Sequence, residues 1–372
     1  MNQTDTFLQL IRAGLWEKTE ADLPAVSDAA WLEVLELAKE QTVPGLLSAG
    51  IRRYNAEPPS EVSLQLMQEE AQMELRNAKM DAFIAKLFTL FQKENIQAVL
   101  IKGQSIARYY EQPERRCPGD VDLVLTPENY ERAKTLMTPK ARSCGPEDRF
   151  LLHYGLFFGG IELELHGTLR SRLSSRIDRF IDGLCKDVFN KSRFQIQDIA
   201  GSDIPSPVPD DYLILSFLHI LQHFFQEGIG LRQICDWCRL LWAGKGEFDI
   251  ALLEERLKNL GLMSEWHAFA ALAVGYLGLP KDAMPLYEEG YEKKAARILR
   301  YIFNTGNFGQ KRDLAGMRRL PFFFKKTALF LRKAGDFFKY RLMIFPADGT
   351  RFMFHTTLVS IRHSATELSG RG

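Results

Sequence analysis

The hydrophobic period of the chain changes twice. Up to about residue 90, apolar residues recur at three- and four-residue intervals, as in "DAAWLEVLELAKEQTVPGLLSAGI", the spacing of amphipathic helices. Asp28 is placed to cap that stretch. Pro58 and Pro59 interrupt the pattern, and "SEVSLQLMQEEAQMELRNAKMDAFIAKLFTLFQKENI" resumes it with Ser60 as N-cap. At Ala98 the period switches. "QAVLIKG" is short, β-branched and apolar and stops at Gly103, which predicts a strand. "QSIARYYEQ" predicts a helix, "ERRCPG" a loop and "DVDLVL" a second strand. "TPENYERAKTLM" predicts a helix with Thr126 as N-cap and Pro127 at its first position. "FLLHYGLFF" and "GIELELHG" predict a hairpin turning at Gly159–Gly160. "RFQIQDIAGSDIPSPV" predicts another pair of short strands. The helical period then returns in "PDDYLILSFLHILQHFF", capped by Asp210 or Asp211, and in "GLRQICDWCRLLWAG", which ends at Gly244. The predicted class is α+β: a small mixed sheet in a core of residues 80–208, between a helical N-terminal region, 1–79, and a helical C-terminal domain, 209–372.

Composition changes this picture little. Of 372 residues 46% are apolar and 26% charged, the mix of a soluble globular protein with a large core. The net charge of +1 provides no global field for long nucleic acid. "MNQTDTFLQLIRAGLWEK" lacks the pattern of a signal peptide, and no uncharged apolar run reaches the ~18 residues of a spanning helix. Five scattered cysteines read as reduced thiols, which places the protein in the cytoplasm. Cys235 and Cys238 form one "CDWC" with no second pair, so core thiols are preferred to zinc. The basic, aromatic tail "PFFFKKTALFLRKAGDFFKYRLMIFP" reads as a helix covering the core, with a membrane-surface contact as the alternative.

The candidate chemistry starts at "CPGDVDLVL". Side chains alternate across a strand, so Asp120, Asp122 and Val124 share one face while Val121, Leu123 and Leu125 share the other. Two carboxylates so close repel unless a cation intervenes, and magnesium with its oxygen ligands suits them. Acid-x-acid pairs are common by chance, and a solvated strand start is the bland alternative. Two further features add weight. Gly103 lets backbone approach a ligand at the start of a helix, with Lys102 as a cation there, either on phosphate or merely on the surface. Downstream, Glu162, Glu164 and His166 share one strand face, and either glutamate can be the third carboxylate. Three carboxylates from two strands facing a phosphate-friendly turn suit two-metal phosphoryl chemistry.

Other residues stay open between two roles. Arg116 either meets a phosphate or pairs with a nearby carboxylate. His166 orients a carboxylate or substrate in preference to binding metal. His219 and His223 lie four apart on one helix face without the glutamate of a zinc-protease motif, so a packed pair is favoured over zinc. Arg232 and Asp236, also four apart, form an ion pair or bind an acceptor.

"LIKGQSIARYY", "RRCPGDVDLVL" and "ELELHGTL" together resemble the nucleotidyltransferase family of the DNA polymerase beta superfold. More narrowly, they resemble the bacterial "uncharacterised nucleotidyltransferase" family. Arg116, Gly119, Asp120, Asp122, Leu123, Glu164 and His166 fall on its pattern, as does "LHILQHFFQEGIGLRQICDWCRLL" with its His-x3-His followed by Arg and Asp. The match covers about residues 95–245. It departs at Lys102–Gly103–Gln104, where many relatives carry Gly-Ser or Gly-Gly; the serine that would contact the triphosphate is absent, with Lys102 and Ser105 the nearest substitutes. The resemblance implies transfer of a nucleoside monophosphate from an NTP to a hydroxyl of a small molecule or peptide, with pyrophosphate leaving. Asp120, Asp122 and Glu164 would hold two Mg2+ ions, and Lys102, Gly103, Ser105, Arg116 and Gly119 would line the nucleotide site. His166, His219, His223, Arg232 and Asp236 would bind the acceptor or support the site's other residues from behind. The rival reading is an inactive nucleotide-binding scaffold of the same fold.

Overall fold

In the computed structural model, which describes residues 3–16, 23, 25–307, 335 and 342–369, the predicted change of period at Ala98 is where the sheet begins. Strands β1 (Ala98–Ile101), β2 (Val121–Leu125), β3 (Ser143–Cys144), β4 (His153–Phe158) and β5 (Ile161–His166) form one mixed sheet in the order β1-β2-β5-β4-β3. β1 runs antiparallel to β2, β2 parallel to β5, and β5 antiparallel to β4. Gly159 and Gly160 both have positive φ, 57° and 94°, as the two-residue turn between β4 and β5 requires. A separate ribbon pairs β6 (Phe194–Ile199) with β7 (Ser202–Pro207). The α+β class is as expected.

Helices α1 (Gln3–Trp16), α2 (Asp28–Glu40), α3 (Pro44–Arg53) and α4 (Ser60–Lys93) precede the sheet. Between strands lie α5 (Gly103–Ala107), α6 (Pro127–Met137) and α7 (Ser175–Asn190). After them come α8 (Pro209–Gln226), α9 (Leu231–Ala243), α10 (Ile250–Leu260), α11 (Met263–Leu277), α12 (Glu292–Thr305) and a C-terminal helix, Pro346–Ser369.

Alternation along β2 decides how the sheet is covered. Val121, Leu123 and Leu125 pack with Ile84, Leu87 and Phe91 of α4 in one apolar cluster. On the opposite face Val124 joins Val99, Ile101 and Val188 of α7. The flanking helices share a third core, in which Phe7 and Trp31 from the N-terminal helices join Phe217, Trp237 and Trp266. Arg12 donates to the Tyr276 carbonyl at 2.9 Å, and Trp16 Nε1 donates to that of Leu277, fastening α1 over α11. Cys235 and Cys238 are buried in this core, where burial pushes both thiols up.

Several local expectations are corrected. Ser27, not Asp28, caps α2, its hydroxyl accepting from Ala30 N at 3.3 Å. Pro59 takes the N-cap position of α4, and Ser60 opens the helix. Neither Asp210 nor Asp211 is the N-cap of α8, which follows Val208; the fully buried Asp211 is held by Arg193 at 2.8 Å and Arg256 at 2.7 Å. The helix predicted over "QSIARYYEQ" shrinks to five residues, because Tyr109 and Tyr110 bond to carbonyls three residues back and tighten the chain out of it. Most of the basic tail, residues 321–346, lies outside the described residues. Among the described residues no helix is long and apolar enough to cross a membrane.

Candidate active site

Two strand ladders bring the chemistry together. β1 places Ile101 opposite Asp122, and the parallel β2–β5 pair places Asp122 beside Glu164 and Val124 beside His166. On the far side of β5, Gly155 faces Glu164 and His153 faces His166. One sheet face thus presents Asp122, Glu164, His166 and His153 in a row, with Lys102 at the end of β1. Asp122 Oδ1 accepts from Lys102 Nζ at 3.1 Å and lies 2.9 Å from His166 Nε2. Glu164 Oε2 is 3.3 Å from both His166 Nε2 and His153 Nε2. The two imidazoles stack with centroids 4.8 Å apart. Asp120, one residue before β2, is exposed at the mouth of the site.

The electrostatics follow from that crowding. Although Asp120 as a whole is open to solvent, protein crowds its carboxyl, and this desolvation with the neighbouring Asp122, Glu164 and Glu162 pushes it up from 3.8 to about 6. Glu162 is raised by burial and by Glu164. Burial alone would raise Glu164 too, but the His153 and His166 rings hold it well below the usual carboxylate range. Lys102 and His166 would each lose their proton more easily on burial, yet the carboxylates around them more than reverse this and raise both. His219 is pushed well below 6.5 by burial and by the charge of Lys102, so its ring is neutral. The site therefore carries more carboxylate than cation, with Asp120 the least satisfied acid.

The turn after β1 is built at a backbone cost. Lys102 has φ 59° and ψ −161°, a region that side chains rarely enter, and Gly103 follows at φ 44°. A Cβ on Gly103 would stand 3.1 Å from the Asp120 carbonyl, so glycine lets the two loops touch. The expectation for Ser105 is corrected here. Its fully buried hydroxyl donates to the Lys102 carbonyl at 2.7 Å and bonds Tyr212 Oη, so it pins the turn and does not face a ligand. Gln104 donates to Asp81 of α4 at 2.6 Å. The expected anion site at a helix N-terminus is absent too, since α5 has little more than one turn.

Arg116 is likewise tied inward. Its Nε and Nη2 donate to the two oxygens of Asp236 at 2.8 and 2.7 Å, and both residues are buried. The expected Arg232–Asp236 pair does not form: Asp236 faces Arg116, while Arg232 donates to the carbonyls of Cys117 and Pro118 at 3.1 and 3.2 Å. A Cβ on Gly119 would approach that guanidinium to 3.4 Å, so Gly119 lets Arg232 clamp the loop that presents Asp120. His219 and His223 meet edge to face at 4.3 Å on α8 and look toward the sheet.

Two adjoining cavities share a wall made by Lys102, Glu164, Ser216, His219 and His223. One, of about 260 Å³, is bordered by Gly103, Gly119, Asp120, Asp122 and Arg232. The other, of about 310 Å³, is bordered by His153, His166, Arg170, Arg172 and Gln222. Sequence reasoning missed His153 and Ser216. His153 was within reach: counting outward from Gly159–Gly160 pairs it with His166. Ser216 carries no pattern of its own.

No curated protein matches the chain. A crystal structure of an antigenic nucleotidyltransferase-like protein from Paracoccidioides brasiliensis is similar at 16% identity, over 54% of this chain and 92% of that one, with a TM-score of 0.34. The family described as uncharacterised nucleotidyltransferase matches residues 27–278, a span that contains the whole sheet and both cavities. The chain belongs to the uncharacterised nucleotidyltransferase family and is a nucleotidyltransferase.

Proposed function

We propose that the protein transfers a nucleoside monophosphate from an NTP to a hydroxyl of a small molecule or peptide in a magnesium-dependent reaction, on a core related to the DNA polymerase beta superfold. The observation that carries this reading is the side-by-side placement of Asp122 and Glu164 on paired strands, with Lys102 against them and a cavity on either side. The donor set suits magnesium, since Asp120, Asp122 and Glu164 all offer oxygen and Asp120 is crowded by like charge. Bound there, magnesium would neutralise phosphate charge and polarise the reacting phosphoryl group.

The chain's own residues supply positioning. Gly103 and the Arg232-clamped loop at Gly119 hold backbone close to the smaller cavity, the side we assign to the nucleotide. Arg116, paired with Asp236, braces the loop at the wall of this cavity. The larger cavity is assigned to the acceptor, with His166, His219 and His223 on its wall. His166 orients Asp122 and Glu164. Glu164, held firmly ionised, acts as a ligand and electrostatic group; the neutral His219 ring, bordering both cavities, is the better placed acceptor for the hydroxyl proton. The acceptor oxygen attacks the α-phosphorus, and the bond to pyrophosphate breaks. We further propose a bacterial, cytoplasmic protein whose catalytic core spans 80–208 between helical regions, with long nucleic acid disfavoured by its near-zero charge.

The test is pyrophosphate release from labelled NTPs with Mg2+ across a panel of hydroxylated acceptors. Asp122→Ala should lower turnover on the order of 10²–10³-fold. NTP binding without turnover, indifferent to Asp120→Ala, would establish the scaffold reading instead, to which Gln104 bound to Asp81 lends support.

A further inference from the structure

We propose that His153, Glu164 and His166 form a site for a transition-metal ion of the Zn2+, Co2+ or Mn2+ class, distinct in chemistry from the magnesium assigned to the carboxylates. The three offer donor atoms that all lie within 4.8 Å of one another, and among the described residues this is the trio that does so. The two spacings to the carboxylate are those of ligands around one ion. With metal–ligand bonds of about 2.1 Å, neighbouring donors stand ~3.0 Å apart in an octahedron and ~3.4 Å in a tetrahedron. Glu164 Oε2 is 3.3 Å from each ring nitrogen.

His153 Nε2 is shut away from solvent and makes no hydrogen bond among the described residues, although the Glu164 oxygen lies beside it. The fold also holds the donors rigidly. His153 and His166 are a direct cross-strand pair on β4 and β5, and their rings stack at an interplanar angle of 20°. Gly155, opposite Glu164, keeps that stretch of β4 open; a Cβ there would come within 3.3 Å of Glu162 Oε1. Asp122 Oδ1, 2.9 Å from His166 Nε2, stands ready as a fourth donor.

Two imidazole nitrogens and one carboxylate oxygen form a borderline donor set. Such a set selects zinc, cobalt or manganese over magnesium, which prefers oxygen alone. Glu164 would face both ions, so one strand residue links the two sites.

The test is titration of the whole chain with CoCl2, without nucleotide and in excess MgCl2, followed by visible absorption and displacement with Zn2+. One equivalent of Co2+ should bind despite the magnesium. Changes to groups that only orient a ligand cost 10–100-fold in affinity, so His153→Ala should cost more than about 100-fold. His153→Phe, which keeps the stacked ring but removes its nitrogens, should do the same, while Asp120→Asn should retain the ion. Absence of Co2+ binding, retention in either His153 variant, or loss in His219→Ala in their place would overturn the proposal. Pyrophosphate release with Mg2+ alone reports separately on nucleotidyl transfer, so failure of one reading does not carry the other with it.

Discussion

Replacing Asp236 by alanine tests whether the Arg116–Asp236 pair belongs to the architecture. Asp236 accepts from Arg116 Nε at 2.8 Å, Arg116 Nη2 at 2.7 Å and Tyr110 Oη at 2.7 Å. Arg116 is 6% exposed and Asp236 7%, so truncation leaves a largely buried guanidinium at the wall of the smaller cavity without its carboxylate. Burial alone would ease its deprotonation, but the Asp236 carboxylate holds it firmly charged. A stranded buried charge costs about 3–5 kcal/mol. The Tyr110 hydroxyl also loses its acceptor, worth ~1–3 kcal/mol, but both losses share one carboxylate and do not add. The expected loss is therefore about 4 kcal/mol, a large part of the ~5–15 kcal/mol that holds a domain together. Urea unfolding followed by tryptophan fluorescence reads it directly. Arg116→Met combined with Asp236→Leu should lose less than Asp236→Ala alone, because no charge is stranded. A loss under about 1 kcal/mol in Asp236→Ala, or a worse double variant, would refute the structural role and return Arg116 to the nucleotide.

Asp120 gives a pH dependence with two signs. Its carboxyl is raised from 3.8 to about 6 in the folded protein, so folding disfavours its charged form. Relative to Asp120→Asn, the stability of the wild type should match below about pH 4 and fall behind as pH rises through about 6. Thermal melts that stay parallel across that window would contradict the crowding described at the site. Nucleotidyl transfer should move oppositely, falling as pH drops through about 6, because only the ionised carboxylate can serve as a ligand. Gly103→Ala places a methyl group 3.1 Å from the Asp120 carbonyl in a left-handed backbone conformation, at a cost of about 1–3 kcal/mol. Its effect on pyrophosphate release should exceed its effect on stability, since the displaced loop carries Asp120; equal effects would mean the turn is only structural.

The strands and the faces they show were legible because a period of two is written directly in "DVDLVL" and "IELELH". The pairing of Asp122 with Glu164 was less so. β2 and β5 are parallel neighbours joined through α6, β3 and β4, and nothing local states the register of such a pair. Asp236 shows the opposite hazard. Local spacing suggests Arg232 as its partner, but α9 turns Asp236 inward to an arginine 120 residues earlier. Ser105 reads as a phosphate contact only while Tyr212, more than 100 residues later, is out of view.

The parallel register between β2 and β5 also decides which genetic changes the site survives. Removing one residue from either strand shifts everything beyond it to the other face. A deletion in β2 ahead of Asp122 would turn the carboxylate toward Ile84 and Leu87, and one in β5 ahead of Glu164 would do the same to the glutamate and His166. Substitutions can weaken this centre by degrees, but single-codon deletions inside either strand would abolish it outright. A deletion scan across residues 118–170 should show sharp intolerant windows at 121–125 and 161–166.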